Sequence, residues 1–449
     1  MSDDTTLRGP ALTLPVADLT SITTPFEGDL LQRAKLAEQL TGYLGRLRYG
    51  AVIALDAPWG EGKSWFARHW AAQLKALQYR VGFIDAFQED YTEDPFVLLA
   101  SEIRQLCQGS GLAQRLTTKA AAVGSALMPL AVKATVNGLG KLMGTSDVVD
   151  QFQDSYDKAL DKSAEFAQEW TKKRLESHKA EKESVVGFRR TLEDFTTEGD
   201  TPTVIFIDEL DRCRPAFAVS MIERIKHFFE VPNLVFVLVM NRSQLEKAIC
   251  GVYGAETDAA AYLGKFLHLS LRLPKQRTGD MSPGAPISAF VRSTLARYNI
   301  ANSDNFAGCL AAMAVLANLS LRDIERACAL YVLAGLGWNG LMACLITIRI
   351  KHQELYEALR DEAETGRATF GNLTTEWYKF AQRQRGGLER FAQVLFAYGQ
   401  YVAGTQTPEL KQQVNDSRSM LFGDDWTVTP SELESFQRGI RALDLDVAI

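Results

Sequence analysis

Between residues 51 and 284, short continuous apolar runs alternate with segments of helical period, and from about residue 285 the continuous runs stop. "AVIALDA", "VGFIDAF", "TVIFID" and "LVFVLVM" read as strands. "KSWFARHWAAQLKAL", "DPFVLLASEIRQLC", "AVSMIERIKHFF" and "SQLEKAICGVY" read as the helices between and after them. Unbroken Val/Ile/Phe runs separated by helices mean a parallel sheet covered on both faces. Ahead of the first strand, "DLLQRAKLAEQLTGYLGRL" sets Leu30, Leu31, Ala34, Leu36, Ala37, Leu40, Tyr43, Leu44 and Leu47 on one helical stripe. The pattern divides the chain into a polar arm (1–25), an α/β domain (26–284) and a helical remainder from 285 onward.

The alternation is interrupted at 110–185 by a predicted helical insertion. "AAAVGSALMPLAV" (120–132) is bracketed by Lys119 and Lys133 and broken by Pro129. It falls short of the roughly 20 apolar residues a membrane crossing needs, so peripheral membrane contact through 119–143 is the expectation. "VVDQFQDSYDKALDKSAEFAQEWTKKRL" aligns Val149, Phe152, Tyr156, Leu160, Ala167 and Trp170 on one stripe, read either as a packed helix or as an arm for a membrane or partner. A second apolar stretch, "LYVLAGLGWNGLMACLITI" (330–348), is long enough to span. Its centre holds Gly335, Gly337, Asn339 and Gly340, which predicts two buried helices joined by a turn.

Composition is ordinary for a globular chain of 449 residues, 46% hydrophobic and 23% charged, so a large core is expected. The net charge of −6 disfavours a general nucleic-acid binder. The six cysteines form no C-x-x-C pair, and most of them read as reduced core residues. "MSDDTTLRGPALTLP" lacks a signal-peptide core, which makes the cytoplasm the expected compartment.

Candidate chemistry begins at "ALDAPWGEGKSWF" (54–66), where an apolar run empties into Gly60, Gly62, Lys63 and Ser64. A strand that stops at a glycine loop and restarts as a helix aims several N–H groups at one point, a phosphate site. Pro58, Trp59, Gly60, Glu61, Gly62, Lys63, Ser64 and Trp65 form the predicted nucleotide-binding loop. Lys63 supplies charge to the β- and γ-phosphates, and the Ser64 hydroxyl is placed to ligate Mg²⁺. Ala57 stands where the phosphate-loop signature has its first glycine, which costs little provided its φ is negative.

"TVIFIDELDRCRP" (203–215) supplies the second half of the site. On a strand expected next to the phosphate-loop strand, Asp208 would join the Mg²⁺ shell and Glu209 would act as general base toward the attacking water. Arg212 and Arg214 fit either an arginine finger or a structural role, capping the next helix or pairing with Asp211. Asn241, ending "LVFVLVMN", is placed either to orient water at the γ-phosphate or to cap the next helix.

These residues resemble the KAP family of P-loop NTPases. The resemblance rests on "APWGEGKSWF", "VIFIDELDRCRP", "NLVFVLVMNRSQLEKAI", "YLGKFLHLSLRLP", "LSLRDIERA" and "IRIKHQELYEAL". It implies a P-loop sheet with a helical insertion between the two Walker motifs, followed by a helical lid (285–360), within the STAND/AAA+-like branch, and leaves a C-terminal helical region (361–449) largely outside it. It also implies that Arg322 of "LSLRDIERA" is the lid arginine that contacts the γ-phosphate; from the sequence alone it could equally be a surface residue. Bacterial members are linked to phage exclusion, and membrane helices often occupy the insertion. Glu209 stands where the family more often has aspartate, and Asn241 where aspartate is common.

The function expected is a Mg²⁺-dependent ATPase acting as a nucleotide-driven switch in a bacterial defence or stress-signalling complex, with self-association and partner proteins encoded nearby. The alternatives are a nucleotide-binding scaffold without turnover and, third, a DNA-associated ATPase. Residues 361–449 interleave basic and aromatic residues in "TTEWYKFAQRQRGGLERFAQVLFAYGQYV", read as a packed helix in preference to a nucleic-acid face.

Overall fold

The computed structural model describes residues 21–92, 94–108, 112–127, 185–228, 231–275, 284–300, 304–335, 337–384, 388–405, 407–423 and 432–444. Most of the expected insertion, including the 149–170 stripe and residues 128–143, lies outside the described residues, as does the arm before residue 21.

Five parallel strands make the central sheet: β1 (Ala51–Asp56), β2 (Val81–Asp85), β3 (Thr203–Asp208), β4 (Leu234–Met240) and β5 (Leu269–Arg272), in the order β2-β3-β4-β1-β5. Every residue of β3 and β4 is buried, whereas β5 alternates half-buried and exposed, as its edge position requires. The period of two divides the apolar side chains between the faces. Val52, Ala54, Ile205, Ile207, Phe236, Leu238 and Met240 pack with helices Pro95–Leu106, Pro215–Ile225 and Arg242–Tyr253. On the opposite face, Ile53, Leu55, Val204, Phe206, Val235, Val237 and Val239 pack with Ala34–Leu44 and Lys63–Ala76. The phosphate-loop helix is anchored there by Trp70, edge-on to Phe206 at 5.3 Å.

One expectation is corrected. β1 and β3 are not neighbours: β4 lies between them, paired to both. The reason is hydrophobic, because the seven fully buried residues of β4 are best accommodated at the sheet's centre. Register keeps the strand ends level, with Asp56 opposite Met240 and Asp208 opposite Val239. Asp208 therefore stands about two strand spacings, roughly 10 Å, from the end of β1.

The first helix is shorter than its stripe. It runs only from Ala34 to Leu44, and residues before it turn sharply, with Phe26, Gly28 and Gln32 in left-handed conformation. Downstream, the glycine-rich stretch separates two helices as expected, Leu321–Ala334 and Asn339–Lys351, the first ended by Gly335 at φ 64°. A third apolar cluster takes in Leu31 and runs from Ile287 to Leu443, joining the helices of 285–360 to those that follow in one core. Among the described residues, no helix is long and apolar enough to cross a membrane. None of the six cysteines is in a disulfide; Cys107, Cys213, Cys328 and Cys344 are buried.

Candidate functional site: the phosphate-loop cavity

β1 delivers the chain to Ala57, whose methyl is fully buried among the residues under the loop and whose φ is not left-handed. The missing glycine is thus replaced by a side chain the core can absorb. Gly60 (φ 83°) and Gly62 (φ 73°) then turn the loop through conformations that favour glycine. Each glycine also meets a close neighbour. A Cβ on Gly60 would lie 2.7 Å from Ser320 Oγ, and one on Gly62 would lie 2.8 Å from Arg33 Nη1. Gly62 caps the helix Lys63–Ala76 without any side-chain bond, leaving its first N–H groups to the cavity.

Lys63 Nζ donates to the carbonyls of Ala57 (2.7 Å) and Pro58 (3.2 Å). Burial holds its pKa below the ordinary lysine value, and the carboxylates of Asp211 and Asp208 pull it back up. At the end of β3, Asp208 is 1% exposed. Its Oδ1 accepts from the Glu209 N–H at 2.9 Å, and its Oδ2 has no hydrogen-bond partner. Burial raises the carboxyl to about 6, against the Ser64 hydroxyl, which favours the carboxylate. An orphaned, buried carboxylate oxygen beside a serine hydroxyl is a donor set suited to a small divalent cation, so the residues fit Mg²⁺.

Glu209 adopts a left-handed conformation (φ 59°), uncommon for a residue with a side chain. Its carboxylate is paired with Arg212 Nη1 at 2.8 Å, and burial raises its pKa while Arg212 lowers it. Arg214 is held by Asp90, through its backbone N–H at 2.8 Å and its guanidinium. Both arginines of "DRCR" are therefore engaged in local pairs. Asp211 instead accepts from the Trp59 indole N–H, linking the phosphate loop to the segment after β3.

A cavity of 520 Å³ gathers these groups. Trp59, Gly60, Gly62, Lys63, Ser64 and Trp65 line it together with Asp208, Glu209 and Arg322. Pro58 and Glu61 do not; the Glu61 side chain turns away, buried against Lys275 Nζ at 3.3 Å. Asn241 also lies outside the lining, and its Oδ1 accepts from Ser243 Oγ at 2.9 Å without capping the helix it precedes. Arg322 reaches the site from the helical region, and its N–H donates to Gly60 O at 3.1 Å. Ser320 and Asp323 form a reciprocal capping box at that helix start, which fixes the angle at which it meets the loop.

Three contributors escape sequence reasoning. Arg33 is 3% exposed and donates to Gly62 O (3.3 Å) and Pro274 O (3.5 Å). Burial lowers its pKa to about 10, while Glu61 and Asp29 favour its charge. The turn from Glu27 to Leu31 closes one side of the cavity, and Phe290 and Arg297 close another. Periodicity carries no signal for any of these, because each becomes part of the site only when distant segments pack together.

Comparison with curated protein sequences finds no match. Among solved structures, a DNA replication initiation factor aligns at 12% identity and TM-score 0.31, over 94% of each chain. The ORC2 protein of Aeropyrum pernix in its ADPNP–ADP complexes aligns at 10% identity and TM-score 0.33, over 93% of this chain and 95% of that one. At such scores neither likeness bears on what this chain does. The KAP family P-loop domain, by contrast, matches residues 33–282, which hold the loop, both acidic residues and all five strands. With more than half its length so matched, the chain belongs to the KAP family of P-loop proteins.

Proposed function

We propose that the chain binds ATP in the 520 Å³ cavity and hydrolyses it with Mg²⁺. The observation that carries this reading is the convergence of Lys63, Ser64, Asp208 and Glu209 on that cavity, with Asp208 Oδ2 buried and unpartnered. Ser64 and Asp208 would hold Mg²⁺, which when bound neutralises charge on the phosphate oxygens. Lys63 exchanges the loop carbonyls for phosphate oxygens. Glu209 takes the proton of the attacking water, and to do so its carboxylate must leave Arg212. Leu30, Leu31, Trp65 and Phe290 give the cavity an apolar part suited to a base. Arg322 senses the γ-phosphate, and its backbone bond to Gly60 passes the change to helix Leu321–Ala334.

The decisive experiment is phosphate release by Lys63→Ala. A fall of about 100-fold or more is expected from losing a buried transition-state contact, and an unchanged rate would refute the reading. The setting we propose is control of a partner protein by this switch, in self-assembled form, in bacterial defence or stress signalling.

A second reading, nucleotide binding without turnover, is favoured by the Glu209–Arg212 pair, which occupies the base. Single-turnover assays separate the two. Bound ATP that remains intact with partners present supports the scaffold, and release of phosphate supports the ATPase.

A further inference from the structure

Behind the phosphate loop lies a second cavity, of 750 Å³, between Pro58–Glu61, the Leu273–Lys275 segment after β5 and the start of helix Leu321–Ala334. Its charge is unbalanced. Arg272, Lys275, Arg322, Arg326 and Lys351 line it against only two carboxylates, Glu61 and Asp323. Each carboxylate is already neutralised by a lysine: Lys275 lies 3.3 Å from Glu61 and Lys351 lies 2.6 Å from Asp323. That leaves three arginines in excess within the cleft, of which Arg322 also lies within electrostatic reach of Glu209 and Glu325 in the first cavity. Among the described residues, none of Arg272, Arg322 and Arg326 forms an ion pair, in a chain whose net charge is −6. Three guanidiniums sharing one concavity repel one another unless an anion joins them, and planar guanidiniums suit phosphate oxygens bidentately.

We propose that this cleft is a second anion site, taking a phosphate-bearing small molecule distinct from the nucleotide in the first cavity. Its volume falls within the roughly 300–1,000 Å³ of small-molecule sites. Trp59, 46% exposed, stands at the boundary of both cavities and offers an aromatic surface to an organic phosphate ester. Arg322 also lines both cavities, and its N–H holds Gly60 O. An anion that draws Arg322 into the second cleft removes it from the first, so the two sites oppose each other through one side chain. The binding itself stands apart from the proposed hydrolysis; the opposition rests on it.

The test is calorimetric titration of the full chain with pyrophosphate. Lys63→Ala first silences the phosphate loop, and this variant is expected to keep one saturable pyrophosphate site. Adding Arg272→Ala and Arg326→Ala is expected to weaken that site at least tenfold. Lys275 and Lys351 stay in place so that Glu61 and Asp323 keep their partners, and an unchanged melting temperature confirms that the fold persists. Two outcomes overturn the proposal: loss of all pyrophosphate binding in Lys63→Ala, or unchanged binding on removing the two arginines. A third does the same: a short single-stranded oligonucleotide that binds more tightly than pyrophosphate and loses its binding with those arginines would assign the cleft to nucleic acid. ATPase failure in any variant bears on the first cavity alone.

Discussion

The rim of the sheet and the helical region behind it bury comparable side chains on opposite principles. Around the phosphate loop, Asp29 Oδ1, Arg33 Nε, Glu61 Oε2 and Asp208 Oδ2 are buried with no partner, and Glu209 is held left-handed. Along the inner helix Asn339–Lys351, residues 340–348 are all buried, and the polar Thr347 hydroxyl bonds Ala343 O at 2.7 Å. The inner helix is packed and satisfied, and the helical region's own buried, unpartnered charged atoms, Arg367 Nε and Asp444 Oδ2, lie outside it; the rim gathers four such atoms around one loop. Unsatisfied buried groups cost stability while no ligand is bound, so this clustering is consistent with the nucleotide site proposed above.

The comparison can be broken most readily from the packed side. Leu345, fully buried and close against Gly439, should cost about 2–5 kcal/mol when replaced by alanine. Urea unfolding measures this, and a loss well under that range would mean the helical core is loosely packed.

The rim should respond with the opposite sign. Raising Asp208 from 3.8 to about 6 corresponds to at most ~3 kcal/mol of strain in the ionised state. The folded protein holds this proton more tightly than the unfolded chain, so native stability falls as pH rises through 3.8 to about 6. Above that window the cost is fully present. Asp208→Asn should therefore stabilise the nucleotide-free protein at pH 8, with the gain fading on acidification through the window, while phosphate release is lost. A destabilised Asp208→Asn at pH 8 would remove the argument that burial strains this carboxyl.

Gly60→Ala sharpens the contrast at a smaller scale. A left-handed alanine costs roughly 1–2 kcal/mol, and its Cβ would meet Ser320 Oγ at 2.7 Å. Weakened stabilisation by ATP in thermal melts is expected, since loop and helix must part; a normal ATP-induced shift would show that their contact is dispensable. The smallest effect belongs to Glu209→Gly. Relief of the left-handed conformation, partly offset by loss of the Arg212 pair, leaves a gain of about 1 kcal/mol or less. Chemical denaturation resolves it, and a clear loss of stability would mean the ion pair outweighs the strain.

How much of this was legible in the chain varies by element. β1 to β4 and the helices between them follow from apolar runs and their punctuation, since a doubly covered strand must be apolar throughout. β5 was not legible as a strand, because "LSLR" is four residues long, half-exposed and ends in arginine. The stripe at 30–47 overstated its helix: Leu30 and Leu31 have the right spacing but serve in a turn beside the cavity. The loop motif picked out Gly60, Gly62, Lys63 and Ser64 because phosphate chemistry demands those residue types in order.

Sequence alone determined β1 to β4, the helices between them, the phosphate loop and the two acids, for these depend on local period and on what single side chains can do. Tertiary structure alone decided that β4 separates β1 from β3, that Arg33 lies against Gly62, and that Arg322 meets Gly60 from 262 residues away. Those facts arise from which apolar faces exclude water together, and burial of that kind is a property of the assembled chain that no short stretch of it encodes.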